Sequence, residues 1–279
     1  KLLADISTGT GTSANPSGLS YLSAVVANGD IDNTTTAVYG GDLLGNVWRF
    51  DVSAGSVSGW SVTKIATLVD SSGNVQPITS APEIGTYRGQ RFIYVATGQY
   101  LGLPDISTTN VQSIYGLIDN LTKTPLINPL RSNLQQQTLS NGGSTRTDTS
   151  IMLAANKLGW YIDLPNSGER VVSDPSLALG VLAVTSITPG TDPCTPGGSS
   201  FEYFIDYRNG GAIANSTLAW TGESLGSTLA SRPEIIKIPT GRLVSLVRKS
   251  NATTDATQIP LPSPQSVVKR VFWREILTQ

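Results

Sequence analysis

The 279-residue chain has no histidine, one cysteine and one methionine, and only 14% of its residues are charged. Each scarcity closes a class of chemistry. Without imidazole there is no Ser-His-Asp or Cys-His catalytic arrangement, no HExxH zinc protease and no histidine-ligated haem. A lone cysteine cannot build an internal disulfide framework. Cys194 lies in Asp192-Pro193-Cys194-Thr195-Pro196, where no base or cation stands ready to activate the thiol. It reads as a structural thiol, with a disulfide to a segment elsewhere as the alternative. Nineteen basic residues against 20 acidic ones leave a net charge of -1. Such a balance supplies no bulk attraction to a polyanion, so nucleic acid is not an expected partner. No run approaches the ~20 apolar residues of a membrane-spanning helix, so no membrane insertion is expected.

What the chain does contain is turn-forming residues and β-formers. Its 28 glycines and 16 prolines, with abundant Ser, Thr and Asn, separate short runs of Val, Ile, Tyr and Trp. That alternation is the signature of an all-β protein with many turns. The length suits a single large domain over residues 1–279. The chain begins Lys1-Leu2-Leu3, in what reads as the end of a strand, and is expected to be a piece of a longer protein. Four Asn-x-Ser/Thr sequons, at Asn33, Asn120, Asn215 and Asn251, are what a Ser/Thr-rich chain produces by chance.

The clearest unit is Thr36-Ala37-Val38-Tyr39-Gly40-Gly41-Asp42-Leu43-Leu44-Gly45-Asn46-Val47-Trp48-Arg49-Phe50-Asp51. Two apolar runs flank a turn in which Gly45-Asn46 takes positive φ cheaply, which makes a β-hairpin. A second copy runs from Gln90 to Gly102, with its partner strand at Ser113–Asp119 after a polar insertion. A third groups Gly159–Leu164, Val181–Ile187 and Phe201–Asp206. Each ends an apolar strand on aspartate. Hairpins recurring at roughly 40 to 65 residues indicate a modified β-propeller with long inter-strand insertions, a sandwich or jelly roll being the alternative. About four to five blades are accounted for, so closing the ring needs strands missing from the fragment, at its N-terminal side. Residues 120–149 and 251–265 read as loop insertions, Ile151–Leu158 as two helical turns, and Val267–Ile276 as a final strand. Trp48, Trp160, Trp220 and Trp273 are expected to pack structurally, Asp42 to hold its own turn, Asp51 to cap the next one, and Arg49, Arg170 and Arg274 to pair with carboxylates between blades.

One segment has the spacing of cation chemistry. In Asn28-Gly29-Asp30-Ile31-Asp32-Asn33-Thr34-Thr35-Thr36, side-chain oxygens recur at 28, 30, 32 and 36 with a carbonyl available at Thr34. This is the alternate spacing by which a tight loop wraps Ca²⁺. A plain polar turn is the competing reading. Position twelve, Tyr39, is not the Glu of an EF-hand, and strands rather than helices flank the loop. Two carboxylates alone, Asp30 and Asp32, place the affinity at the weak extracellular end, with Kd on the order of 10⁻⁴ to 10⁻³ M and poor competition from Mg²⁺.

These residues in this order resemble the C-terminal propeller domain of the PilC/PilY family of type IV pilus tip-associated proteins. The carrying motifs are Tyr39–Asp51 after the acidic loop, Gln76-Pro77-Ile78-Thr79-Ser80-Ala81-Pro82-Glu83, Ala96-Thr97-Gly98-Gln99-Tyr100-Leu101 and Gln112-Ser113-Ile114-Tyr115-Gly116. Later matches are Gly159–Leu164, Gly168-Glu169-Arg170-Val171-Val172, Asp192-Pro193-Cys194 with Gly197-Gly198, and Phe272-Trp273-Arg274-Glu275. The resemblance implies a secreted, non-enzymatic protein of the bacterial cell surface, pilus tip or outer membrane. It implies roles in pilus biogenesis, twitching motility, virulence and attachment to host cells or abiotic surfaces, with minor pilins as partners. It also implies Ca²⁺ as cofactor, held by Asn28, Asp30, Asp32, the carbonyl of Thr34, and Thr36. Asn28 and Thr36 stand where the family usually has Asp. An enzyme on a propeller, quinone-dependent dehydrogenase or glycoside hydrolase, is the alternative, disfavoured by the missing histidine and scattered carboxylates.

Overall fold

Alternating apolar residues build strands that assemble into four sheets in a computed structural model describing residues 2–190, 197–214, 216 and 218–261. The first sheet runs β1 (Leu22–Asn28), β2 (Asp32–Gly41), β3 (Asn46–Asp51) and β4 (Ser61–Thr67), antiparallel throughout. Next come β5 (Glu83–Tyr87), β6 (Gln90–Ala96), β7 (Ser113–Asp119), β8 (Gln135–Thr138), β9 (Thr145–Arg146) and β10 (Gly159–Asp163). The second sheet has the order β5-β6-β7-β10-β8, with β8 alone parallel to its neighbour. The third adds β11 (Ser176–Ala178), β12 (Val181–Pro189), β13 (Gly198–Asp206) and β14 (Gly222–Ser224), with β9 at its edge beyond β14. β15 (Glu234–Lys237), β16 (Leu243–Arg248) and β17 (Thr254–Gln258) form the fourth. The architecture is the expected all-β one, and the four sheets do not close into a ring among the described residues.

The two-residue period of a strand explains how the sheets stack. Side chains alternate between faces, so a sheet between two neighbours must be apolar on both. On β6, Ile93 and Val95 join the core shared with the first sheet, while Phe92, Tyr94 and Ala96 join the core shared with the third. On β10 Tyr161 faces the first core, and Trp160 and Ile162 face the second. The third sheet repeats the division: Leu182 and Val184 of β12 face the second sheet, and Val181 and Ala183 pack with Phe204 and Ile259 against the fourth. Near-continuous apolar runs such as Val181–Ile187 are therefore strands buried on both faces. Trp160 is fully buried, donates Nε1–H to the Tyr207 carbonyl at 3.1 Å, and lies against the bare Cα atoms of Gly116 and Gly210, where any side chain would collide with the indole.

Several expectations change. Residues 120–149 are more than a surface insertion, because they supply β8 to the second sheet and β9 to the third. Hydropathy hid these strands because their inward residues are polar. Gln137 is fully buried with its amide satisfied: Nε2 donates to the carbonyls of Ile151 and Asn209, and Oε1 accepts from Thr149 and Ile151. Residues 251–265 likewise contain β17, a half-buried polar edge strand whose Asp255 pairs with Lys249 at 2.8 Å. Residues 151–158 are not helical. The two ends are held from outside the segment, Ile151 by Gln137 and Leu158 by Asn133, and between them there is a single turn in which the Lys157 N–H donates to the Ala154 carbonyl at 3.0 Å. β10 pairs with β7 in the second sheet rather than with β12 and β13. Residues 2–20 carry no strand. Cys194, Asn215 and the expected strand Val267–Ile276, with Trp273 and Arg274, lie outside the described residues.

Candidate functional site

The segment Asn28–Thr36 is the tip of a β-hairpin rather than a free loop. β1 ends at Asn28, Gly29-Asp30-Ile31 makes the turn, and Asp32 opens β2 opposite Asn28. The Ile31 N–H closes the turn on the Asn28 carbonyl at 3.1 Å, and the Asp30 N–H donates to Asn28 Oδ1 at 3.3 Å. Asp32 Oδ1 accepts the Thr34 N–H at 2.8 Å. The Thr34 hydroxyl and N–H together hold the exposed Asp32 carboxyl below the usual carboxylate range, so it stays ionised. The pairing register jumps twice between Val25 and Asn28, leaving extra residues on β2. Bulges of this kind bend a strand and turn side chains out of strict alternation. Thr36 sits at one of them and donates its hydroxyl to the Val25 carbonyl at 3.1 Å.

The hairpin thus brings Asn28 and Asp32 face to face, keeps Asp30 at the turn, and sets Thr34 and Thr36 further along β2. All the donors are hard oxygens, one carboxylate is fixed in its charged form, and Asn28 Oδ1 and Thr36 Oγ1 each retain a lone pair. In kind, the set fits a calcium ion. Among the described residues no three His, Cys, Asp or Glu side chains gather as a metal site would. A cation here must rely on amide, hydroxyl and carbonyl oxygens beside the two carboxylates.

β2 connects this tip to the seam between the first two sheets. Tyr39 is fully buried and donates its hydroxyl to Asp119 Oδ2 at 2.6 Å, while Arg49 Nη1 binds the other carboxylate oxygen at 2.6 Å. Arg91 donates to the Tyr39 oxygen at 2.9 Å, and Arg49 Nη2 reaches the Thr122 carbonyl at 2.6 Å. Burial, and then the charge of Asp119, push the Tyr39 phenol far above its ordinary range, so it serves as a permanent donor. The expected role of Arg49 between blades is met here.

The turn after β2 is built by Asp42. Its buried carboxylate accepts the N–H groups of Leu44 and Asn46, the Asn46 amide, and Trp48 Nε1–H at 2.8 Å. Gly45 at φ +73° donates back to the Asp42 carbonyl. The same device recurs in Asp70-Ser71-Ser72-Gly73-Asn74. Asp70 takes the N–H groups of Ser72 and Asn74 and the Asn74 amide, with Gly73 at φ +85°. The shared Asp-x-x-Gly-Asn signature was available in the sequence. Asp51 caps its turn as expected, through the Ser53 N–H and hydroxyl.

Arg170 departs from expectation. Among the described residues its guanidinium pairs with no carboxylate and instead donates to four carbonyls, those of Gly168, Gln99, Asp105 and Thr108, at 2.6 to 2.9 Å. Four carbonyl dipoles satisfy a buried cation's protons, and they tie the loop after β6 to the third sheet. Its neighbour Glu169 forms the carboxylate pair, with Arg146 at 2.8 Å, and also accepts from Tyr203 and Ser186.

The PilY1 beta-propeller domain family matches residues 4–153. The type IV pilus biogenesis factor PilY1 of Pseudomonas aeruginosa is 33% identical over 270 aligned positions, covering 75% of this chain and 23% of its own length. A PilY1 homolog from Xylella fastidiosa is 30% identical over 260 positions, covering 87% of this chain and 21% of its own length. This chain therefore spans about a quarter of the length of these curated relatives. The crystal structure of the P. aeruginosa PilY1 C-terminal domain superposes with a TM-score of 0.73 at 23% identity, covering 91% of this chain and 63% of that one.

Proposed function

This chain belongs to the PilY1 β-propeller family, and from that premise we propose that it is a non-enzymatic propeller module of a type IV pilus biogenesis factor. In this reading the parent protein acts outside the cell, at the pilus tip or outer membrane. It works with minor pilins and supports pilus assembly, twitching motility and attachment to host cells or abiotic surfaces. The observation that carries it is the family relationship joined to an acidic hairpin before Tyr39. Ca²⁺ would be held by Asn28, Asp30, Asp32, the Thr34 carbonyl and Thr36, and bound there it would draw the two strands of the hairpin tip together. The chain's own part is to keep Asp32 ionised through Thr34 and to anchor the hairpin's base through Thr36 and Val25.

The test is genetic. Deletion of the parent gene, complemented by the wild-type gene or by one carrying Asp30→Ala with Asp32→Ala, is scored for surface pili, twitching zones and attachment. The proposal expects the deletion to lose all three and the double variant to restore assembly without normal regulation of motility by calcium. A deletion strain that assembles pili, twitches and attaches normally overturns it.

A further inference from the structure

One end of the molecule gathers left-handed turns and exposed apolar side chains that the proposed function leaves without a role. β1, β5 and β11 are the edge strands that touch one another across the first three sheets, and they start together. Ser23 of β1 donates its hydroxyl to the Pro82 carbonyl ahead of β5 at 2.5 Å, and the Ala81 N–H donates to Asp174 Oδ1 ahead of β11 at 2.8 Å. The turns that follow these strands, Asn28–Asp32, Arg88-Gly89 and Leu179-Gly180, therefore emerge at the same end. β7 finishes there too, since its Asp119 pairs with Arg91 just past the Arg88 turn, and Leu121 comes next. Tyr87 and Tyr207 meet edge to face with centroids 5.8 Å apart, and the Tyr207 N–H reaches the Gly180 carbonyl at 3.3 Å, which joins the second turn to the third.

Among the described residues four non-glycine positions take positive φ, and three of them are at this end: Arg88 at 50°, Leu121 at 57° and Leu179 at 45°. Glycine, asparagine and aspartate adopt that conformation most cheaply, so a turn selected for stability alone would carry one of those. The side chains kept here instead face solvent. Leu121 is 57% exposed, Leu179 50%, and Arg88 is exposed with its guanidinium over the Tyr87 ring at 5.1 Å. Ile31, at the tip of the first hairpin, is 84% exposed. Side chains held at a backbone cost and not spent on packing have their use outside the fold.

The arrangement indicates the partner. Apolar tips on separate turns are scattered points rather than one groove, and a bilayer takes such points without matching their relief. Aliphatic side chains enter the acyl boundary while cations stay at the phosphates. Arg88 supplies one cation, and Lys123, exposed two residues past Leu121 and near Asp51, a second. We infer that this end is a docking surface for a membrane carrying anionic phospholipids, with Ile31, Leu121 and Leu179 entering the interface and Arg88 and Lys123 on the headgroups. The contact is peripheral rather than spanning. Asp30 and Asp32 flank Ile31 and repel such a surface. Ca²⁺ held between them would remove the repulsion, so docking should strengthen with calcium, the one part that rests on the proposed function.

The experiment is co-sedimentation of the purified chain with vesicles of phosphatidylcholine, alone or mixed with phosphatidylglycerol, in millimolar Ca²⁺ or in chelator. The expected result is binding to the mixed vesicles in calcium, little to phosphatidylcholine alone, and weakening by salt. Arg88→Gly should lower binding about 5-fold. Leu121→Gly with Leu179→Gly should abolish it while the melting temperature holds or rises, because glycine relaxes both turns. Asp30→Ala with Asp32→Ala, freed of the repulsion, should dock in chelator as well as the unaltered chain does in calcium. Docking of the unaltered chain that calcium leaves unchanged supports the membrane surface and removes the ion from the hairpin. Absence of binding to mixed vesicles under either condition, undiminished binding by the double leucine variant, or a fall in that variant's melting temperature overturns the inference. Self-association in sedimentation velocity that the leucine variant abolishes, without vesicle binding, also overturns it and assigns this end to a second copy of the chain.

Discussion

The two Asp-x-x-Gly-Asn turns allow one stability experiment with its own internal control. Asp42 and Asp70 hold the same turn with the same backbone bonds, but they differ in what else depends on them. Replacing Asp42 by Ala strands three buried donors: the Asn46 N–H at 2.9 Å, the Asn46 amide at 3.0 Å and the Trp48 Nε1–H at 2.8 Å. The Leu44 N–H is only part-buried and can turn to water. Each buried donor left unmet costs about 1–3 kcal/mol, and some water will enter the space vacated, so Asp42→Ala should lose about 3–5 kcal/mol. Asp70→Ala strands only part-buried donors, on Ser72 and Asn74. Water can reach all of them, and the expected loss is about 1–2 kcal/mol. Asp42→Asn should fall between, since the carboxamide keeps one acceptor but presents an N–H₂ toward Trp48 or Asn46. The assay is urea unfolding followed by circular dichroism, so that the indole of Trp48 does not report on its own surroundings, with m-values compared to exclude changes in the unfolded state. Losses for Asp42→Ala and Asp70→Ala within about 0.5 kcal/mol of each other would refute the reasoning, because the extra buried donors would then contribute nothing.

Three further outcomes follow from the same geometry. Millimolar Ca²⁺ should raise the melting temperature of the chain while Mg²⁺ does not, reaching about 2.7 kcal/mol of stabilisation at 100 times Kd, and Asp30→Ala with Asp32→Ala should abolish the rise in a thermal scan. Asp119→Ala leaves Arg49 and Tyr39 buried without their acceptor. It should cost about 3–5 kcal/mol in denaturant unfolding, whereas a charge swap at the exposed Arg232–Glu234 pair should cost under about 1 kcal/mol. Glu202 is buried and accepts from Ser245 at 2.5 Å; burial chiefly, with Glu223 and Asp255 nearby, raises its carboxyl to about 7. A carboxyl raised on folding binds its proton more tightly in the native state. Stability should therefore fall as pH rises from about 4.5 through 7, by about 3 kcal/mol from this group, and unfolding at stepped pH should show Glu202→Gln losing that part of the slope.

How much of this was legible depended on which residues buried themselves. The hairpin of β2 and β3 could be read because apolar alternation, a Gly-Asn turn and a terminal aspartate all pointed the same way. β6, β7, β12 and β13 could be read for the same reason. β8, β9 and β17 could not, because a hydropathy pattern cannot distinguish a Gln137 or an Arg146 facing solvent from one that finds its polar partners inside the protein. The partner choice of β10 was equally hidden, since a strand's period says which residues share a face and nothing about which strand lies beside it. In the candidate site, the donors were visible as spacing, and their hairpin was not. The loop pattern assumes a backbone wrapping a centre, whereas Asn28 and Asp32 meet here because β1 and β2 are antiparallel neighbours.

That difference bears on how a cation could act. In a closed coordinating loop the ion is enclosed by consecutive residues and the flanking elements respond to it afterwards. In this hairpin the donors are divided between two strands, so an ion bridging Asn28 to Asp32 would act directly on the pairing of β1 with β2. Among the described residues β1 is an edge strand, paired on one side only. Edge strands are the part of a sheet that opens most readily. β2, in contrast, is anchored at Tyr39, whose hydroxyl is locked into the Asp119–Arg49 cluster at the seam with the second sheet. The bulges opposite Val25–Asn28 lie between the fixed end of β2 and its free tip. A ligand holding the tip would therefore stabilise the edge strand without reorganising the seam. The effect should appear as protection of β1 amides from exchange rather than as a change in the blade packing around Tyr39.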